Sequence, residues 1–258
     1  MILAEETSEG DTRVSEALYV YGVVRAGALP SIEAEGVAGA RVELVERDGL
    51  AALVSPLPNV DLRVKRRDLH RHLEVIEAAF ADTTILPCPF GTVVASRDEV
   101  ETGRLGAAHR ELVAGIEQLD GTVQMNVKAV YDEDALLREI VAADREIARL
   151  RERTRGSGNA GYYERLRLGE LVAARVAEHR ERDADRLVGE LAAASVDVFV
   201  EEAGEGCAFK ASFLVPKGQL NRFDASLEAI SQKEQPLLLF EAIGPLPPTA
   251  FAAAYSSA

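Results

Sequence analysis

Twice along the chain the apolar pattern runs strand, crossover, hairpin, helix, strand, and this repeated order restricts the fold more than any single residue does. In the first half, Ala17 to Val24 is an apolar run of strand length. Arg41 to Ser55 alternates around Asp48-Gly49, the dipeptide that a two-residue hairpin turn requires. From Lys65 to Asp82, Leu69, Leu73, Ile76 and Phe80 recur at helical spacing, which predicts an amphipathic helix with that face inward. A strand at 85–94 follows, then a helix from about Asp98 to Leu119 through Leu105, His109, Leu112 and Ile116.

The second half opens on Thr122 to Tyr131, where Val123, Met125, Val127 and Ala129 alternate with polar neighbours as a half-buried strand requires. Leu136, Ile140, Ala143, Ile147 and Leu150 form a stripe of coiled-coil type, interrupted at Gly156–Gly161 and answered by a longer helix from Tyr162 to Ala194. A hairpin of Val196–Glu202 and Cys207–Val215 comes next. A helix from Gln219 to Lys233 then turns Leu220, Phe223, Leu227 and Ile230 inward, and Pro236 to Ile243 is the last strand. The expectation is an α+β chain of two ferredoxin-like (split βαβ) domains, 17–120 and 121–243, although residues 26–40 show no crossover helix. The second domain carries a projecting antiparallel helical hairpin over 133–194. Residues 1–16 read as a disordered leader and 244–258 as a proline-rich C-terminal tail.

Residues 85–97 read Ile-Leu-Pro-Cys-Pro-Phe-Gly-Thr-Val-Val-Ala-Ser-Arg. Pro87 and Pro89, two apart on an extended chain, remove two backbone donors from one lateral side, so this strand is blunted along one edge. Ser96 with Glu99 three residues on is a capping-box helix start. The run resembles the Leu-Pro-x-x-Phe-Gly-Thr-Val stretch of the gas vesicle accessory proteins of the GvpL/GvpF type. Three further stretches match that family in order and spacing: Leu18-Tyr-Val-Tyr-Gly-Val-Val24, Tyr163-Glu-Arg-Leu-Arg-Leu-Gly-Glu-Leu171 and Gly244-Pro-Leu-Pro-Pro-Thr-Ala-Phe251. The resemblance covers about residues 17–251. The chain departs from it at Pro89, where the family often has a basic residue, and at Leu246 and Thr249, where aromatics are usual.

Composition excludes several functions. With Lys+Arg 29 against Asp+Glu 43 the net charge is −14, which repels phosphate backbones and anionic lipid, so neither nucleic acid nor membrane is an expected partner. Cys88 and Cys207 lack partners at metal-ligand spacing. His70 and His72 point about 200° apart around a helix and cannot share a metal. There is no Gly-x-Ser-x-Gly elbow, and Gly156–Gly161 follows a helix without the Lys-Ser/Thr of a phosphate loop. No catalytic site, metal or cofactor is expected. No apolar run reaches the ~20 residues of a spanning helix, and the N-terminus lacks a signal-peptide pattern, so a cytoplasmic protein is expected.

The resemblance implies a non-enzymatic gas vesicle accessory protein. Such a protein binds the small hydrophobic shell protein and other accessory proteins and assists nucleation and assembly, with the option of remaining as a minor structural component. Candidate contact residues are Pro87, Pro89 and Phe90 in the first domain and Tyr162, Tyr163, Arg165 and Arg167 at the start of the long helix. Leu246 and Phe251 in the proline-rich segment complete the set. The alternative is a small-molecule-binding or enzymatic α+β protein, marked by a pocket of converging polar side chains with shifted pKa values.

Overall fold

The computed structural model describes residues 17–28, 32–57, 66–155 and 161–256. The expected leader, Lys65, most of the Gly156–Gly161 linker and the last two residues lie outside that set. The chain divides into two compact units, one built from residues up to Gln118 together with those from Ala252, the other from Leu119 to Phe251.

The first unit holds β1 (Leu18–Arg25), β2 (Glu43–Arg47), β3 (Leu50–Pro56), α1 (Arg66–Asp82), β4 (Ile85–Pro87), β5 (Val93–Val94) and α2 (His109–Leu119). Its antiparallel sheet has the order β2-β3-β1-β4, with β5 paired to the start of β1. The hairpin turn falls on Asp48 and Gly49, both at positive φ, as a two-residue turn demands. The stretch expected as a single strand over 85–94 is divided. Pro89 to Gly91 turn out of the sheet, and the Pro89 carbonyl accepts from both the backbone N–H and the hydroxyl of Thr92. β4 is an edge strand. Cys88 N–H donates to Tyr21 O at 2.8 Å, so by strand alternation the nitrogens of Pro87 and Pro89 face away from β1 and offer no donor on that side.

The face of α1 differs from the expected one. Asp68, His72, Val75, Ile76 and Ala79 are buried, while Leu69 and Leu73 are exposed. The reason lies in the sheet, which presents the hydroxyls of Tyr19 and Tyr21 and so calls for polar groups opposite. The second helix is also irregular: Glu99–Ala107 is wound as a π-helix before α2 begins. Gly103 and Gly106 weaken the α form there. Arg47 takes up the Glu101 carbonyl at 3.0 Å and the Thr102 hydroxyl that of Asp98 at 2.7 Å.

The second unit holds β6 (Thr122–Tyr131), α3 (Glu133–Ala143), α4 (Arg145–Thr154), α5 (Tyr162–Ala192), β7 (Asp197–Glu201), β8 (Cys207–Pro216), α6 (Leu220–Glu234) and β9 (Leu238–Leu246). Its antiparallel order, β7-β8-β6-β9, is that of the first sheet strand for strand. Val123, Met125, Val127, Ala129 and Tyr131 face a core with Phe209, Phe213, Phe223 and Leu187. Tyr131 donates to the buried Asp183 at 2.8 Å, and Arg186 clasps both Glu234 oxygens at 2.8 and 3.0 Å. These bonds tie α5 to β6 and to α6.

The stripe read as one helix is two. Asp144, in extended conformation, ends α3 and caps α4 by accepting from Glu146 and Ile147, while Arg175 binds its other oxygen. These contacts, the Ile147 N–H foremost, hold the Asp144 carboxyl below the usual range. Pairs Asp144–Arg175, Glu146–Arg167 and Arg153–Glu164 show α4 running antiparallel to α5. Gly189 sits exposed inside α5, and an added Cβ would meet no described atom within 4 Å. Gly189→Ala is therefore expected to stabilise the second unit by about 0.5–1 kcal/mol in urea titration.

The expected proline-rich tail is replaced by regular structure. Gly244 to Leu246 complete β9, whose edge position tolerates Pro245, and Thr249–Ser256 forms α7. Pro247 and Pro248 lead into that helix rather than stiffening an arm, because its first turn has no N–H bonds for proline to lose. The Gln124 side chain accepts the Ala250 N–H at 2.9 Å. Within the first unit, Tyr255 donates to Gln118 and packs on Gly115.

Candidate protein-interaction site

In the first unit, the loop after β4 is held by a clamp of aromatic and polar side chains. Gly91 N–H donates to the Tyr19 hydroxyl at 2.9 Å, and that hydroxyl lies 3.1 Å from His72 Nδ1. A neutral imidazole that gives its ring proton to the Cys88 backbone leaves Nδ1 as the acceptor of the Tyr19 proton. The His72 ring stacks on Tyr21 and meets Phe90 edge-on, with centroids 5.4 Å apart in the latter pair. The Tyr21 hydroxyl accepts Val37 N–H at 2.7 Å and pairs with Ser55 at 2.8 Å. Burial pushes both tyrosine hydroxyls up and the His72 imidazole down to about 4. Burial also raises the Cys88 thiol, against the pull of Arg104, whose guanidinium donates to its sulfur at 3.1 Å. These shifted groups belong to the interior of the unit.

Pro87 is buried, Phe90 is half-buried in the clamp, and Pro89 is exposed at the loop. Phe251 is buried and Leu246 half-buried. The candidates on α5 stand in a different environment. Tyr162 and Tyr163 are 60% and 81% exposed, their rings in edge contact at 5.5 Å, and Leu166 one turn on is 51% exposed. Arg165 is exposed, and Arg167 reaches Glu146 and Glu170 at 3.8 Å each. Leu137 of α3 is 42% exposed above Leu168 and Val172 of α5, in an open groove of about 580 Å³. Aromatic, aliphatic and guanidinium groups thus share one end of the α3–α5 assembly, the composition that carries contact energy between proteins.

Sequence reasoning did not find two further features. His72 was weighed there solely as a metal ligand; its signal was the alternative stripe Asp68, His72, Val75, Ala79. The second is the open face of the second sheet. The register sets Phe199, Ser212, Asn126 and Ile243 in one row across the four strands. Ser212 and the Gln124 amide both donate to Asn126 Oδ1, at 2.9 and 2.8 Å, so the centre of the row is polar. Its ends, Phe199 and Ile243, are exposed. No group of three or more His, Cys, Asp or Glu is placed to hold a metal among the described residues, and no described helix is long and apolar enough to cross a membrane.

Comparison with known proteins agrees on one family. The family described as "Gas vesicle synthesis protein GvpL/GvpF" matches residues 17–253. Gas vesicle protein F of Streptomyces sp. (strain CB03234) is 35% identical over 236 residues, which are 90% of this chain and 98% of that protein. Gas vesicle protein F of Nostoc sp. is 24% identical over 85% of this chain and 91% of its own. The crystal structure of GvpF from Anabaena sp. PCC7120 superposes with a TM-score of 0.79 at 24% identity, covering 92% of this chain and 98% of that one. That of GvpF from Microcystis aeruginosa gives 0.71 at 22% identity, over 92% and 99%. The fold is therefore that of the GvpF structures, and the chain belongs to the GvpL/GvpF family of gas vesicle synthesis proteins.

Proposed function

We propose that the protein is a non-enzymatic accessory factor of gas vesicle assembly. It acts in the cytoplasm and at the growing vesicle, where it binds the small hydrophobic shell protein and other accessory proteins. In this reading each unit is a ferredoxin-like split βαβ domain, and α3–α5 form a helical hairpin inserted as the crossover of the second. The observation that carries the proposal is the exposure of Tyr162, Tyr163 and Leu166 together on the first turns of α5. A shell subunit with an apolar face aggregates unless that face is covered before polymerisation, and such side chains can cover it.

Co-expression tests this. The shell protein is expected to move from the pellet to the soluble fraction with the wild-type chain, and to stay in the pellet with a Tyr162→Ser, Tyr163→Ser, Leu166→Ser variant. All three positions are exposed, so the variant keeps its melting temperature. A shell protein that neither associates with the wild-type chain nor gains solubility from it would overturn the proposal. Immunodetection on washed vesicles then separates a transient factor from a resident component.

A further inference from the structure

The groove among α3, α4 and α5 has an apolar floor and a rim in which positive charge exceeds negative. Leu137, Val141, Ile147, Leu168 and Val172 form the floor, and Asp134, Arg138 and Arg151 the rim. Arg138 turns its Nε to the Asp134 backbone carbonyl at 2.9 Å, which leaves the Asp134 carboxylate out of that bond. The α4 wall has the same sign, although α3 adds Glu133 and Glu139. α4 carries Arg145, Arg149, Arg151 and Arg153 within one short helix, in a chain whose net charge is −14. Several of the nearby acids are already committed: Glu146 to Arg167, Glu152 to Arg155 and Glu164 to Arg153.

We infer that this groove binds an amphipathic helix of another protein whose apolar stripe is flanked by carboxylates. The stripe would lie on Leu137, Val141, Leu168 and Val172, while the flanking carboxylates meet Arg138 and Arg151. This is the helix-in-groove mode, in which spaced apolar anchors supply affinity. Charge at the rim then supplies selection, because a lysine-flanked helix would set like charges against the two arginines. Arginine suits that rim, since its planar fork binds carboxylate with two parallel bonds. The inference deepens the proposed function and rests on the α3–α5 surface being the one that meets vesicle components. Its test does not use the shell protein.

The probe is a fluorescein-labelled synthetic peptide about three heptads long, with leucine at a and d and glutamate at e and g. A twin carries lysine at e and g. Fluorescence anisotropy with the full chain is expected to show the glutamate peptide bound at least about tenfold more tightly than the lysine twin. Leu137→Glu and Arg151→Glu alter exposed side chains, so each is expected to keep the wild-type melting temperature. Each should weaken the glutamate peptide about tenfold, and Arg151→Glu should narrow the gap between the twins. Equal affinity for the two peptides, no binding of either, or binding untouched by both substitutions would overturn the inference. Peptide binding in a chain that fails to solubilise the shell protein would sink the shell-binding proposal and keep the groove; the converse would sink the groove alone.

Discussion

Gly22→Ala is expected to destabilise the first unit by roughly 3 kcal/mol, at the upper end of what an overpacked core loses. Gly22 sits in β1 where a register shift lets the strand face Leu53 of β3 on one side and Pro87 of β4 on the other. A Cβ built there would lie 2.8 Å from the Leu86 carbonyl oxygen and 2.8 Å from Ile85 Cδ1. The Ile85 side chain can rotate only into its own packed surroundings, since Ile85 is fully buried. The Leu86 oxygen cannot withdraw without moving β4 away from β1, which breaks the pairing of Val23 with Leu86 and the bond from Cys88 N–H to Tyr21 O. Glycine here is thus a matter of space between strands rather than of turn geometry. In urea titration the midpoint should fall, and the thermal midpoint with it by roughly 10 °C. Gly27→Ala is the control: an added Cβ meets no described atom within 4 Å, and stability should stay within about 0.5 kcal/mol. A Gly22→Ala chain as stable as that control would show that β4 does not pack against β1 as closely as described.

Much of this fold was legible because local chemistry and global topology agree. Asp48-Gly49 could be read as a hairpin turn because the left-handed backbone it adopts is one that few other residue pairs tolerate. β6 could be bounded to the residue because its alternation faces a core on one side and polar neighbours on the other. Two apolar stripes at helical spacing marked the segments that form α3, α4 and α5. What failed were places where one element's partner decides the outcome. Leu69 and Leu73 looked like the inner face of α1, yet the helix turns His72 inward to the Tyr19 hydroxyl and buries Asp68 beside it. Residues 244–258 looked like a proline-rich tail, yet Pro247 and Pro248 precede a helix once Gln124 supplies an acceptor for its first turn.

The candidate site was legible in part, for the same reason. Tyr162, Tyr163, Arg165 and Arg167 were singled out by residue type and by their place at a family-matching stretch, and the structure sets them at one exposed helix end. Phe251 and Pro87 were singled out likewise and are buried, because an apolar residue in a short motif has no way to declare which surface covers it. Phe199 and Ile243 show the converse. Their strands were legible, yet both side chains stand exposed on the edge strands β7 and β9.

Lowering the pH from 7 to 5 is expected to weaken the first unit through His72, and the sign follows from where the proton is bound. An unfolded histidine titrates near 6.5. In the fold His72 is 3% exposed, and burial lowers its pKa to about 4, although a hydrogen bond with the Cys88 backbone pulls the other way. Between those two values the unfolded chain holds the proton and the folded chain does not, so protons favour unfolding. The contribution is complete above pH ~6.5 and is lost as the pH falls toward 4, at no more than about 1.4 kcal/mol per pH unit and roughly 3 kcal/mol in all. His72→Gln isolates the effect. Its amide can still accept from the Tyr19 hydroxyl, but it does not titrate. The variant should be less stable than wild type at pH 7 and nearly equal to it at pH 5, because only the wild-type curve slopes. Urea midpoints at pH 7, 6 and 5 measure this above the range where most carboxylates titrate. Parallel curves for the two chains would mean that the imidazole takes up its proton in place, with the Tyr19 hydroxyl turning to accept it. In that case the clamp on the loop after β4 would not depend on a neutral His72.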